Sequence, residues 1–137
     1  MSLDLSSPAL ASASLVTLVA LITYQGLAMA VGQARLRYGV RPPATTGPDG
    51  FERVLRAQQN TLEQLPVFLP ALWLASLYAD PRVAGITGMV WVGARIAYAV
   101  GYAQAPEKRA PGFALSFLAS TLLLVLAAVG LIQALGA

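Results

Sequence analysis

The chain has 137 residues, 57% of them hydrophobic and 11% charged, with a formal net charge of +3. Soluble domains carry about 25% charged residues, so this composition excludes an ordinary water-soluble globule and leaves no room for a separate soluble domain. The chain also lacks cysteine and histidine, which excludes disulfides, thiolate metal sites and the imidazole base that much enzyme chemistry relies on.

Four segments are long enough to cross a hydrocarbon core, which takes about 20 helical residues. They run approximately over 9–31, 55–78, 83–102 and 113–135. The runs are rich in Ala and Leu and lack two-residue alternation, which argues against strands. The expected fold is therefore all-α integral membrane, a four-transmembrane-helix bundle forming a single domain over 1–137.

No basic stretch precedes span one, so it reads as a retained helix and not a cleaved leader. Its polar residues Thr23, Tyr24 and Gln25 lie toward one end, and Gln25 reads as a helix–helix hydrogen bond. The connector 41–50 holds three prolines and two glycines, which break helices and make a stiff turn-rich segment. It serves either as a plain connector or as a lid over a site.

Span two opens with polar residues. On a helix, Glu52, Arg56, Gln59, Asn60 and Glu63 fall on one stripe at three- and four-residue spacing. Ionisable groups at membrane depth are costly and tend to mark a site. Pro66 and Pro70 follow, each removing a backbone donor, and predict a bend just beyond Glu63.

Asp80-Pro81 predicts the turn into span three. There Gly93, Ala97 and Gly101 form a small-residue ridge suited to close helix approach. A second face carries Trp91, Arg95, Tyr98 and Tyr102. Arg95 and Glu63 lie at similar depth, so an ion pair between them is expected to resolve two buried charges, a structural role for Arg95. Span four has no ionisable group and reads as lipid-facing support.

Arg35, Arg37, Arg41 and Arg53 lie between spans one and two, and Lys108 and Arg109 between spans three and four. The positive-inside rule places both loops in the cytoplasm and both termini outside. Dispersed arginines do not make a nucleic-acid surface, so no nucleic-acid partner is expected. Short termini without an organelle-retention signal point to a bacterial inner membrane.

The run Phe51-Glu52-Arg53-Val54-Leu55-Arg56-Ala57-Gln58-Gln59-Asn60, followed by Glu63 and Pro66, resembles the signature of the MAPEG family, the membrane-associated proteins in eicosanoid and glutathione metabolism. Pro42-Pro43 with Thr45-Thr46-Gly47-Pro48 upstream, and Ala94-Arg95, Tyr98 and Gly101-Tyr102 downstream, stand at matching spacings. The likeness covers essentially the whole chain and is nearest to the branch of leukotriene C synthase and the microsomal glutathione transferases.

That resemblance implies a homotrimer with glutathione bound between neighbouring subunits. It assigns Arg56, Asn60, Glu63, Tyr98 and Tyr102 to glutathione binding, with Arg35 and Gln58 reaching in from the adjacent subunit. Arg109 matches the arginine that stabilises the glutathione thiolate; without the resemblance it would read as an ordinary positive-inside loop residue.

The implied activity is a glutathione S-transferase acting on lipophilic electrophiles from the bilayer, with glutathione-dependent peroxidase activity as a further outcome and no metal. Gln64 stands where the leukotriene-forming enzyme has tyrosine, and Leu36 replaces one of a pair of arginines, so the lipid substrate is left open.

The chemistry suits these residue types. Guanidinium groups bind carboxylates through paired, charge-assisted hydrogen bonds. Carboxylate and amide oxygens accept from an ammonium, and phenols donate to oxygens. The substrate brings its own thiol nucleophile, which accounts for a chain without Cys or His. Two other functions compete: a non-catalytic lipid-presenting relative, and a small proton-coupled exporter built around Glu63. The lipid-presenting branch lacks the counterparts of Arg56 and Glu63, whereas this chain keeps both. The exporter leaves the Arg56, Asn60 and tyrosine constellation unexplained.

Overall fold

Helices begin where the sequence supplies caps and end where it supplies breakers. In the computed structural model, which describes residues 4–137, α1 (Pro8–Tyr38) starts at Ser7, whose hydroxyl accepts from the Leu10 amide at 3.2 Å. Pro8 occupies the first helical position, where its missing N–H costs nothing. The helix ends at Gly39 in the left-handed region, φ 69°, a conformation that glycine adopts without Cβ strain. Asp80 caps α3 (Pro81–Gln104) by accepting from the amides of Arg82 at 2.8 Å and Val83 at 3.3 Å. This is the turn expected from Asp80-Pro81.

Between them, α2 (Asp49–Tyr78) continues through both Pro66 and Pro70 without breaking. A short 3-10 turn (Pro106–Arg109) then leads into α4 (Ala110–Gly136). The four predicted spans lie within these four helices. The first, the third and the last are long and apolar enough to cross a membrane. The exception, α2, carries the polar opening turns read from the sequence and packs against all three other helices. The fold is thus an all-α integral membrane bundle of four helices, with the polar helix in contact with every other.

The core is built from small residues around a few large ones. Phe68 of α2 stacks on Trp91 of α3 with ring centroids 3.9 Å apart, and Leu72, Val16 and Leu123 close around them. Outward, Leu18, Ile22, Ile86, Leu118 and Ile132 are exposed, the pattern of a protein whose solvent is lipid. A second cluster of Val31, Ala34, Val40, Phe51 and Leu55 anchors the α1–α2 connector.

Two local expectations change. Helix approach in membranes relies on small residues because lipid offers no hydrophobic drive, but the expected ridge on α3 is split. Gly93 meets nothing and Ala97 is exposed, while Gly101 lies against the Lys108 backbone of the 3-10 turn. The intimate α3–α4 contact is made instead by Gly112 of α4, where a Cβ would stand 2.5 Å from the Tyr98 amide nitrogen and 2.6 Å from the Ala94 carbonyl. The α1–α2 polar bond likewise belongs to Tyr24, whose hydroxyl accepts from Gln58 at 2.8 Å; Gln25 is exposed on the protomer.

Candidate functional site

The stripe on α2 forms as the three- and four-residue spacing requires, and α3 faces it with two tyrosines one turn apart. Tyr98 is buried, and its ring meets that of Tyr102 edge-on at 5.7 Å. The 3-10 turn then swings Arg109 over the end of α3. Its guanidinium lies 5.2 Å from the Tyr102 ring centroid, and Nη1 donates to the Tyr102 hydroxyl at 3.2 Å. Tyr102 keeps its own O–H free to donate elsewhere.

These groups enclose a cleft of about 250 Å³ lined by Arg56, Gln59, Asn60, Glu63, Tyr98, Tyr102, Arg109 and Phe113. Six residues marked in the sequence as site candidates therefore share one cavity wall. A larger hollow of about 630 Å³ adjoins it, sharing Arg56, Gln59 and Tyr102 and lined on its outer side by Thr45, Thr46, Asp49 and Glu52. The stiff connector thus forms part of the wall of the outer hollow.

The remaining two candidates lie elsewhere on the bundle. Gln58 faces α1 and is bonded to Tyr24. Arg35 staples the connector, donating to the carbonyls of Ala44 at 2.8 Å and Val40 at 3.5 Å, and stacks over Phe51 at 5.1 Å. Neither lines the cleft of its own chain. Arg56, Glu63 and Arg109 are exposed on the chain.

The expected ion pair between Glu63 and Arg95 does not form. Arg95 is 1% exposed and turns away from the cleft. Its Nε donates to the Ser116 hydroxyl at 3.2 Å, and Nη1 to the Asn60 Oδ1 at 2.7 Å and the Thr61 hydroxyl at 3.4 Å. The physical reason is local. Asn60 and Thr61 present neutral acceptors directly opposite Arg95, while Glu63, one turn on, lines the cleft. Asn60 consequently uses its oxygen inside the protein and offers the cleft its NH2 group, a donor where the residue type alone suggested an acceptor.

Two contributors escape a reading by polarity. Phe113 lines the cleft and meets the Tyr98 ring at 6.3 Å, with Phe117 stacked a turn further along α4 at 6.5 Å. The signal was available, since Phe113 stands four residues after Arg109, one helical turn away. Ser116 fills the other omission, and with both residues α4 is more than lipid-facing support.

The arrangement is a polar, mostly cationic cleft with an aromatic edge on a membrane helix. It holds carboxylate binders, a carboxylate and phenol donors, and among the described residues no group of His, Cys, Asp and Glu suited to a metal.

Comparison with known proteins agrees. A family model for MAPEG matches residues 13–129. An uncharacterized protein from Synechocystis is 57% identical over 112 residues, covering 82% of each chain. Microsomal glutathione S-transferase 2 of Mus musculus is 51% identical over 100 residues, 73% of this chain and 68% of that protein. Leukotriene C4 synthase of Bos taurus is 39% identical over 117 residues, 85% of this chain and 78% of that protein. With the signature on α2 and a family match over nearly all of the bundle, this chain belongs to the MAPEG family of membrane proteins.

Proposed function

We propose that the protein is a membrane glutathione S-transferase that ionises the glutathione thiol in the cleft and directs it at lipophilic electrophiles arriving from the bilayer. The observation that carries this reading is the convergence of Arg56, Glu63, Tyr98, Tyr102 and Arg109 on one cavity with Phe113 at its edge. The relatives named as glutathione S-transferase and leukotriene C4 synthase support the same class of chemistry.

Glutathione carries two carboxylates, an ammonium and a thiol. Arg56 pairs with a carboxylate and Glu63 with the ammonium, while the Asn60 NH2 and the tyrosine hydroxyls donate to the remaining oxygens. A guanidinium offers donors and a positive charge but no acceptor, so Arg109 acts by charge and not as a base. A free thiol has a pKa of about 8.5. A guanidinium beside it favours the thiolate, and two pH units of depression correspond to about 2.7 kcal/mol. The thiolate then attacks an electrophilic carbon, and the C–S bond forms as a bond to that carbon breaks: the ring C–O bond of an epoxide, whose alkoxide takes a proton from water, the bond to the leaving anion of an activated aromatic, or the C=C π bond of an unsaturated carbonyl, whose enolate is then protonated. A lipid hydroperoxide is a second electrophile for the same thiolate: attack on the terminal oxygen breaks the O–O bond and releases the lipid alcohol, and a second glutathione converts the resulting sulfenic acid to glutathione disulfide and water.

The protomer leaves Arg35 and Gln58 outside its own cleft and Arg56 and Glu63 uncovered. A homotrimer in which each cleft receives Arg35 and Gln58 from the neighbouring subunit accounts for both facts. If the basic connectors lie in the cytoplasm, as the positive-inside rule favours, the cleft mouth opens where glutathione is available. Similarity to a cyanobacterial protein sits well with a bacterial inner membrane.

The test is ultraviolet difference absorbance of the purified protein in detergent during a glutathione titration at neutral pH. A saturable thiolate band that disappears in Arg109→Ala supports the transferase. Absence of both the band and equilibrium glutathione binding would sink it in favour of lipid presentation or Glu63-dependent transport.

A further inference from the structure

Arg95 is the one buried cation in the described bundle that the proposed chemistry does not use. It is 1% exposed, and all three of its hydrogen bonds go to neutral partners: Ser116, Asn60 and Thr61. Two aromatic faces complete its surroundings, Tyr98 at 4.8 Å and Trp91 at 5.7 Å from the guanidinium carbon. A buried charge without a counter-ion is costly, and three neutral acceptors soften that cost without cancelling the charge. A methionine or leucine would fill this core at less expense, so stability alone is a poor account of an arginine here.

Its contacts point to the cleft. Asn60 and Tyr98, two of its four polar or aromatic neighbours on α2 and α3, are themselves cleft walls. Arg95 therefore stands one side chain behind the cavity surface, touching it at two places.

We propose that Arg95 is a positioning residue for the cleft: it clamps the Asn60 carboxamide with its NH2 toward the ligand, and its unpaired charge favours the thiolate of bound glutathione over the thiol. This deepens the transferase reading and rests on it.

The first part follows from hydrogen-bond chemistry. Arginine has only donors, so it fixes Asn60 with oxygen inward and NH2 outward. The second follows from the charges facing the ligand. From α2 these are Arg56 and Glu63, from the 3-10 turn Arg109, and from α3 the phenols Tyr98 and Tyr102, while α4 contributes Phe113 and no charge. In the proposed trimer the neighbour adds Arg35. Glutathione bound as thiol has a net charge of −1 and as thiolate −2 by its functional groups. A fixed positive charge behind a low-dielectric wall favours the more negative form. No acidic side chain offsets Arg95 from its own side of that wall.

Two variants separate the parts. Arg95→Gln keeps hydrogen-bonding atoms and removes the charge; Arg95→Lys keeps the charge and loses the fork that holds Asn60 and Ser116 together. The full-length protein in detergent is titrated with glutathione across pH, reading the thiolate band, and separately with S-methylglutathione, which has no thiol to ionise.

Arg95→Gln is expected to move the band midpoint up by about one pH unit, a tenfold loss of thiolate at a fixed pH on the acid side. Arg95→Lys should hold the midpoint near the wild-type value yet bind S-methylglutathione roughly fivefold more weakly, the scale of one misplaced hydrogen bond. A wild-type midpoint in Arg95→Gln overturns the proposal, and so does an equal upward shift in both variants, which marks a packing role. Should Arg95→Gln not fold, Arg95→Lys decides alone: an upward midpoint or unchanged S-methylglutathione binding overturns the proposal. Wild-type protein that binds no glutathione overturns the transferase reading itself, whereas a wild-type band indifferent to Arg95 overturns only this inference.

Discussion

Arg109 and Arg56 carry the same charge in one cleft, yet their surroundings differ, and the proposed function gives them different work. Arg109 is held against Tyr102 by a hydrogen bond and a ring face, so its guanidinium has a fixed position at the cavity edge. Arg56 is exposed between the inner cleft and the outer hollow and has freedom to meet a carboxylate. On the proposed reading, in which Arg109 favours the thiolate, Arg109→Ala is expected to displace the pH–rate profile upward, because losing that charge raises the thiol pKa. Glutathione affinity should change by less than about fivefold, since a single exposed charge contributes on the order of 1 kcal/mol or less. Arg56→Ala should do the reverse, weakening glutathione binding by about tenfold or more through loss of a charge-assisted pair while leaving the pH midpoint in place. Calorimetric titration beside a pH–rate series distinguishes the two; coincident profiles for both variants would show that the arginines share one role.

The elements hold these side chains through α3, which is fixed on one side by the Phe68–Trp91 stack and on the other by Gly112 of α4. Gly112→Ala places a methyl against the Ala94 carbonyl and the Tyr98 amide, both rigid backbone, so α3 and α4 must separate. Overpacking of this kind costs about 1–3 kcal/mol, and because Tyr98 lies at the contact, glutathione binding should weaken along with thermal stability. Gly93→Ala is the control: its Cβ meets nothing, and both readouts should stay at wild-type values. The sequence displays small residues at both places without saying which one a neighbour occupies. Helix number, the turn at Asp80-Pro81 and the stripe on α2 were legible because each depends on local spacing or composition. The partner of Arg95 was not, since pairing by depth favoured Glu63 and only the rotation of α2 against α3 puts Asn60 and Thr61 in reach. Phe113 was missed for a related reason: an apolar residue in an apolar span stands out only by its place one turn after Arg109, a spacing that polarity alone does not weigh.

At the scale of the whole molecule, the proposed trimer would complete a site that the single chain leaves open. Arg56 and Glu63 are exposed on a membrane protein's surface, while Arg35 and Gln58 face away from their own cleft. Charged groups facing lipid are costly, and a closed ring of identical subunits removes that cost if each subunit's Arg35 side covers its neighbour's α2 stripe. Such a contact is head-to-tail, joining different surfaces of the two subunits. It makes a quantitative demand on mixed assemblies. Arg35→Ala and Arg56→Ala subunits should each form trimers of low activity when expressed alone. Mixed at equal amounts and assembled at random, a site is intact when an Arg35→Ala subunit supplies Arg56 and its neighbour, an Arg56→Ala subunit, supplies Arg35. That arrangement arises for about a quarter of the sites, so co-expression should restore about a quarter of wild-type transferase activity. If Arg35 served only its own protomer, every site in the mixture would lack one arginine and activity would stay at the level of the separate variants. Because Arg35 also staples the connector through the Ala44 carbonyl, the assembled size of its variant is measured first, and retained trimers make the restored activity a direct reading of one subunit completing the next.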